Sequence, residues 1–336
     1  MGEPPKMAGG RSAGLDLFKT LLVWGMITAH CIQLLALRPS FAEQVISDVI
    51  NLVTFSGFLF AFGYGIGLSK SGGKSWWQRL KPVLMLLAAT YVSELAFTVL
   101  VDRHLLTQDL LVPLFSLSRL YGWSEFLASF AVLYLIIALA RPLLVAIASN
   151  WLTLLAALLV CFGSTWVVVS LDIPLLATLV GTTNFASFPL AAYLPWFLVG
   201  IAFGRRPEQP GRVAWAMGAV ATAVFAYDVW RHAGDLPGRF PPTVLWVVGP
   251  ALMLCAYLAF ARWLSRAVRI PSVLLGPGRH VLAALLVSNL IIFSLRYFAR
   301  YQIGAWWWTP ILAVGLIVIT TAWTLGLDML RQSRNQ

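Results

Sequence analysis

Apolar runs of about 20 residues recur along the whole chain, separated by short polar segments. A run of this length forms an α-helix that crosses the hydrocarbon core of a bilayer. The pattern predicts ten membrane-spanning helices, at about residues 15–37, 46–69, 82–101, 123–140, 150–171, 187–204, 212–231, 243–264, 281–299 and 305–326. The apolar stretch from Leu105 to Tyr121 contains Asp109, Pro113 and Arg119, so we interpret it as interfacial or re-entrant.

Composition supports an integral membrane protein. The 336 residues are 60% hydrophobic and 11% charged, whereas soluble domains carry about 25% charged residues. So few charges could not cover the apolar surface in water, and lipid must be the solvent for much of the chain. We therefore expect an all-α bundle forming one membrane domain over residues 1–336, with short tails at 1–14 and 328–336. The three cysteines all fall in apolar runs, so no disulfide framework is predicted.

The distribution of basic residues predicts the orientation. With ten spans, 17 of the 24 lysines and arginines fall on the side that carries both termini, and 7 fall on the other. Because cytoplasmic loops are enriched in these residues, both termini are predicted to be cytoplasmic. This topology also accounts for the net charge of +11 without nucleic acid as a partner.

Helix 1 carries the most informative polar residues. Lys19 and His30 are eleven positions apart, which places them on one helix face about 16 Å apart along the axis. Asp16 precedes Lys19 by one turn and is positioned to pair with it. A cation near the cytoplasmic end and a deep imidazole suit an acyl-coenzyme A, with its phosphates at Lys19 and its thioester near His30. His30 would then be a general base. The alternative is a buried histidine that hydrogen-bonds between helices.

Helix 1 resembles the start of the membrane acyltransferase family three, whose members acylate extracytoplasmic sugars and other acceptors. That family has an Asp, then an Arg three residues later, then ten residues and a His; here Lys19 replaces the Arg. Looser similarities follow at Phe55-Ser56-Gly57-Phe58-Leu59, Arg79-Leu80-Lys81-Pro82 and Trp196-Phe197-Leu198-Val199-Gly200. Where the family often has a second His, Asn289 is the nearest residue. Related membrane families that acetylate glucosamine ends share parts of this pattern.

The resemblance implies transfer of an acyl group, expected to be acetyl, from cytoplasmic acyl-coenzyme A to a hydroxyl of an extracytoplasmic glycan or glycolipid. A bacterial inner membrane is the expected location. Acyl-coenzyme A is a substrate, and no permanently bound cofactor or metal is predicted. The oligomeric state stays open, a homo-oligomer included. The alternatives are a transporter or flippase for a lipid-linked or small anionic substrate, and a non-catalytic scaffold.

Further charged residues extend the candidate site. Glu94 or Glu125 could support His30 as the acid of a triad, although helix locking and interfacial exposure explain them as well. Cations expected near the donor phosphates are Arg79 and Lys81, with Arg205, Arg206 and Arg279 as further candidates, although orientation alone accounts for each. Arg296 and Arg300 oppose the orientation bias on the outer side, so they are candidate acceptor contacts.

Overall fold

The computed structural model describes residues 12–69, 75–105, 107–116, 123, 125–167, 169–170, 173–206, 208, 210–303, 305 and 307–333. Part of the predicted interfacial stretch, residues 106 and 117–121, lies outside these ranges, as do residues 1–11 and 334–336 of the predicted tails. Six of the basic residues counted for orientation also lie outside them: Lys6, Arg11, Lys70, Lys74, Arg119 and Arg334.

The described residues form fourteen α-helices and one 3₁₀ turn, Ser272–Leu275. The α-helices are α1 (Ala13–Leu35), α2 (Phe41–Leu68), α3 (Trp76–Leu100), α4 (Gln108–Phe115), α5 (Glu125–Ser149), α6 (Trp151–Ser164), α7 (Pro174–Val180), α8 (Leu190–Gly204), α9 (Arg212–Arg231), α10 (Val244–Val248), α11 (Ala251–Ala267), α12 (Gly276–Arg279), α13 (Val281–Ile303) and α14 (Trp308–Ser333). Each of the ten predicted spans has a helical counterpart, with α10 and α11 together forming the eighth.

Eight of these segments are long and apolar enough to cross a membrane, counting only residues that the structure describes. The counterparts of the fifth and sixth predicted spans, α6 and α8, are apolar but shorter. The all-α integral membrane fold expected from the sequence is therefore confirmed.

Several helix boundaries differ from the predicted ones, and the C-terminal ends of α5 and α14 are two examples. Helix α5 was expected to end near residue 140 but continues to Ser149, with a break from helical backbone geometry at Ala140, where φ is −124° and ψ is 19°. Pro142 lacks a backbone N–H and clashes with the preceding turn, which accounts for a kink here. Helix α14 continues to Ser333, so Asp328 lies on a helix, within the range expected to form a tail.

The chain separates into two compact units. The first unit comprises Met1–Phe58 and Met253–Gln336, and the second comprises Leu59–Leu252. In the first unit, α1 packs against α12, α13 and α14. The start of α1 is stabilised by Ser12, whose side chain accepts a hydrogen bond from the backbone N–H of Leu15.

In the second unit, glycines bring α8 against the part of α2 that belongs to this unit. Gly63 and Gly67 on α2 face the backbone carbonyls of Phe197 and Ile201, and a Cβ on either glycine would clash with them. Gly200 and Gly204 on α8 make the reciprocal contacts with carbonyls of α2. Two glycines four residues apart on each helix are the arrangement that lets membrane helices approach closely.

Candidate active site

The predicted pair on α1 is present. The Lys19 Nζ lies 2.7 Å from Asp16 Oδ1, and the Asp16 side chain is 7% exposed. A carboxylate in this position lowers the cost of a lysine charge at the edge of a bilayer. It also holds the ammonium of Lys19 in a defined place near the end of the helix that is predicted to be cytoplasmic.

Two further segments bring charges to the same pair. The Arg279 Nε, on α12, lies 3.7 Å from Asp16 Oδ2, and its Nη1 donates a 3.0 Å hydrogen bond to Asp328 Oδ2 on α14. The His280 Nε2 lies 2.7 Å from Asp328 Oδ1. These five residues, Asp16, Lys19, Arg279, His280 and Asp328, are called here the inner charge network. Arg279 was a candidate donor contact, whereas sequence reasoning did not select His280 or Asp328.

Small residues of α12 make this network geometrically possible. A Cβ on Gly278 would clash with the backbone carbonyl of Asp16, and one on Gly276 would lie 2.5 Å from Thr324 Oγ1. The Gly278 N–H also donates a 3.0 Å hydrogen bond to Thr20 Oγ1. The Gly-Pro-Gly turn therefore lies close to both α1 and α14, which places Arg279 between their two carboxylates. The start of α1, the short helix α12 and the C-terminal part of α14 are all predicted to lie on the cytoplasmic side. In the structure these three helices pack against one another.

His30 contacts a polar residue of α13. Its Nδ1 lies 2.7 Å from Asn289 Oδ1, and both residues are buried, at 7% and 2% exposure. Because an amide oxygen only accepts hydrogen bonds, Nδ1 carries the proton in this contact. In the neutral imidazole the lone pair is then on Nε2, which is the form of a general base. Helix α1 is continuous from Ala13 to Leu35, so Lys19 and His30 keep the helical register expected of them.

The orienting contact to His30 was expected from a carboxylate, and the structure shows Asn289 at Nδ1. Glu94 and Glu125, the two carboxylates predicted for that role, lie on α3 and α5 of the second unit. The similarity in the sequence did point to Asn289, as the residue nearest to the family's second histidine. It could not show that an amide would contact His30.

The remaining predicted site residues differ in their exposure and in their hydrogen bonds. Arg79 and Lys81 are exposed on α3, and the Arg79 Nη1 donates a long, 3.5 Å hydrogen bond to the Ala138 carbonyl. Arg296 donates a 2.7 Å hydrogen bond to the Leu34 carbonyl at the end of α1, which gives it a structural role as a C-terminal cap. Arg300 is half-buried, and its Nε has no hydrogen-bond partner among the described residues.

Comparison with known proteins finds one family. A model described as heparan-alpha-glucosaminide N-acetyltransferase, catalytic, matches residues 11–229, which is more than half of the chain. The matched range includes Asp16, Lys19 and His30, and it ends before Arg279 and Asn289. No curated protein and no solved structure matches. The match confirms the predicted resemblance to membrane acetyltransferases, and the matched family is the related one that acetylates glucosamine ends. The assignment to acyltransferase family three is not confirmed.

Proposed function

We propose a function from the family to which this chain belongs, the heparan-alpha-glucosaminide N-acetyltransferases. The chain transfers an acetyl group from acetyl-coenzyme A, which enters from the cytoplasm, to the amino group of a glucosamine-ended glycan or glycolipid on the opposite side. The family description favours an amine over the hydroxyl that the resemblance to family three implied.

The contact between His30 and Asn289 carries this proposal. With its proton held on Nδ1 by the Asn289 oxygen, the imidazole presents Nε2 as the base. As the acceptor nitrogen attacks the thioester carbonyl, Nε2 takes a proton from that nitrogen, and a C–N bond forms. The C–S bond then breaks, and the imidazolium returns the proton to the departing thiolate of coenzyme A. Asn289 accepts the Nδ1–H bond throughout, so the ring does not have to reorient.

The inner charge network suits the phosphate end of the donor. Lys19 offers an ammonium and Arg279 a planar guanidinium, and both groups form charge-assisted contacts with phosphate. Asp16 and Asp328 hold these two cations in place before the donor arrives, which reduces the ordering cost of binding. In this scheme Lys19 binds the donor with Arg279. Arg79 and Lys81, as exposed cations of the second unit, stay predictions for further donor contacts.

The distance between Lys19 and His30 also fits a long donor molecule. Eleven helical positions separate Lys19 from His30, or about 16 Å along α1. A donor with its phosphates at the helix start and its thioester at the imidazole has to extend over such a distance. Chemistry placed inside the bilayer in this way serves a donor and an acceptor that approach from opposite sides.

The test is coenzyme A release from the purified full chain in lipid nanodiscs, followed with a thiol reagent. Acetyl-coenzyme A and a glucosamine-ended oligosaccharide are supplied, with the N-acetylated oligosaccharide as the negative acceptor. We expect turnover only with the free amine, and a loss of at least about a hundredfold in His30→Ala. Cys31→Ala, the adjacent buried residue, is the matched control and keeps activity.

Two results would overturn this proposal. One is wild-type protein that releases no coenzyme A with any amine- or hydroxyl-bearing glycan, which favours the transporter or flippase. The other is unchanged turnover in His30→Ala, which removes the proposed base.

A further inference from the structure

Glu94 is a buried carboxylate with unusual surroundings. It lies in the second unit, on the membrane-spanning helix α3, and is 0% exposed. Neither of its carboxylate oxygens has a hydrogen-bond partner among the residues that the structure describes. Burying a carboxylate without partners is costly, and such a group in a native protein calls for an explanation by a ligand, an ion or a role in mechanism.

A second buried carboxylate lies on α5, the helix that packs against α3. Glu125, at the start of α5 and 8% exposed, interacts electrostatically with Glu94, and α3 packs against α5. Two like charges in a medium of low dielectric constant repel each other strongly. A cation that contacts both carboxylates offsets this repulsion and gives the Glu94 oxygens the partner that they lack among the described residues.

Hydroxyl groups around the pair add hydrogen-bonding capacity. Thr98 lies one turn after Glu94 on the same face of α3; it is fully buried, and its Oγ1 has no partner among the described residues. Ser129, one turn after Glu125, donates a 2.7 Å hydrogen bond to the Phe188 carbonyl and so connects α5 to the segment before α8. Ser187, next to Phe188, is 1% exposed, and within the described part of the chain its Oγ has no partner.

This combination fits an organic ammonium group. A primary ammonium has one positive charge and three N–H donors, which match two carboxylates and a hydroxyl acceptor. We propose that Glu94 and Glu125, with the Thr98 hydroxyl, form a binding site for the protonated primary amine of an amino sugar. The proposal rests on the proposed function only in naming the acceptor as the bearer of that amine. The site itself follows from the two carboxylates and the hydroxyl.

Binding to the purified full chain in nanodiscs tests the site without catalysis. Isothermal titration with glucosamine, in the absence of any acetyl donor, is compared with N-acetylglucosamine, which has no ammonium group. We expect glucosamine to bind at least about tenfold more tightly, and Glu94→Gln and Glu125→Gln each to remove at least about tenfold of that affinity. Asp235→Asn removes an exposed carboxylate that is predicted to lie on the outer side, and leaves the affinity unchanged.

The outcomes separate this site from the proposed function. Glucosamine binding that His30→Ala retains and Glu94→Gln loses supports the site, even if the wild type shows no acetyl transfer. Equal affinity for glucosamine and N-acetylglucosamine overturns it, as does unchanged affinity in both glutamine variants. Sodium titrated alone is a further probe: sodium binding that needs both glutamates, with no glucosamine binding, overturns the amine assignment. Unfolding temperatures of the variants without ligand show that a lost affinity does not reflect a lost fold.

Discussion

The carboxylates that lie inside the two units have different surroundings. In the first unit, Asp16 contacts Lys19 and Arg279, and Asp328 contacts Arg279 and His280. In the second unit, Glu94 is fully buried, and its oxygens have no hydrogen-bond partner among the described residues. The carboxylates of the first unit are thus paired with cationic side chains, whereas the Glu94 carboxylate has no hydrogen-bond partner among the residues that the structure describes.

This difference suggests two kinds of binding group. A compensated cation–carboxylate network is held in one arrangement before its ligand arrives, so it can bind a multiply charged donor at low ordering cost. In the second unit, the buried Glu94 carboxylate has no hydrogen-bond partner among the described residues, so it weakens the unliganded fold and gains most when a cation binds. The variants below test whether the two regions really differ in this way.

The largest effect is expected from Asn289→Leu. Its amide oxygen holds the Nδ1–H of His30, so loss of that acceptor frees the ring and its tautomer. We expect kcat to fall about a hundredfold with little change in the KM for acetyl-coenzyme A. Asn289→Asp keeps an acceptor oxygen and should lose less than about tenfold. Ser288→Ala is a matched control, because its hydroxyl bonds only within its own helix in the described contacts. Steady-state kinetics that show full activity in the leucine variant would contradict the proposed role.

Next is Asp328→Asn, which leaves the charge of Arg279 incompletely compensated in the first unit. The aspartate side chain is 18% exposed, and we expect the free energy of unfolding to fall by about 2 kcal/mol. Asp235→Asn, at an exposed position, should change it by less than about 0.5 kcal/mol. Unfolding in one detergent and one buffer measures both variants. Equal values for the two would show that the network does not stabilise the fold.

In the second unit, Glu94→Gln should act in the opposite direction. Replacing this fully buried carboxylate, whose oxygens have no partner among the described residues, by a neutral amide removes a charge that is costly to bury and should raise the free energy of unfolding of the unliganded protein by about 1 kcal/mol. The same unfolding measurement serves, with Glu125→Gln as a second variant. If Glu94→Gln destabilises the protein as much as Asp328→Asn does, the two units do not differ in the compensation of their carboxylates.

The smallest effect is expected from Lys19→Arg, which restores the residue that the resemblance implies. An arginine keeps the positive charge beside Asp16, so the KM for acetyl-coenzyme A should change by less than about threefold. Lys19→Met removes the charge and should raise that KM clearly more than the arginine does. Kinetics in which the methionine variant matches the wild type would remove Lys19 from the donor site.

The architecture follows from local properties of the chain. The length of an apolar run and the basic residues at its ends depend on residues that are close together in sequence. For that reason each of the ten predicted spans has a helical counterpart in the described part of the chain, and eight of these counterparts are long enough to cross a membrane. Boundaries differ at several places, such as the extension of α5 past Pro142. The Asp16–Lys19 pair is likewise local, one helical turn apart, and it is present in the structure.

The contacts that complete the candidate site are not local. Asn289 is 259 residues from His30, and Arg279 lies between the carboxylates of two helices at opposite ends of the chain. Such partners depend on how the helices pack. Here the packing requires the absence of side chains at Gly276 and Gly278. The periodicity of the sequence does not predict which helices will pack in this way. The sequence by itself therefore determined the membrane fold and the catalytic candidate on α1. Only the tertiary structure decided that an amide orients the imidazole and that Glu94 is buried without a compensating partner among the described residues, because burial and pairing are properties of packed neighbours.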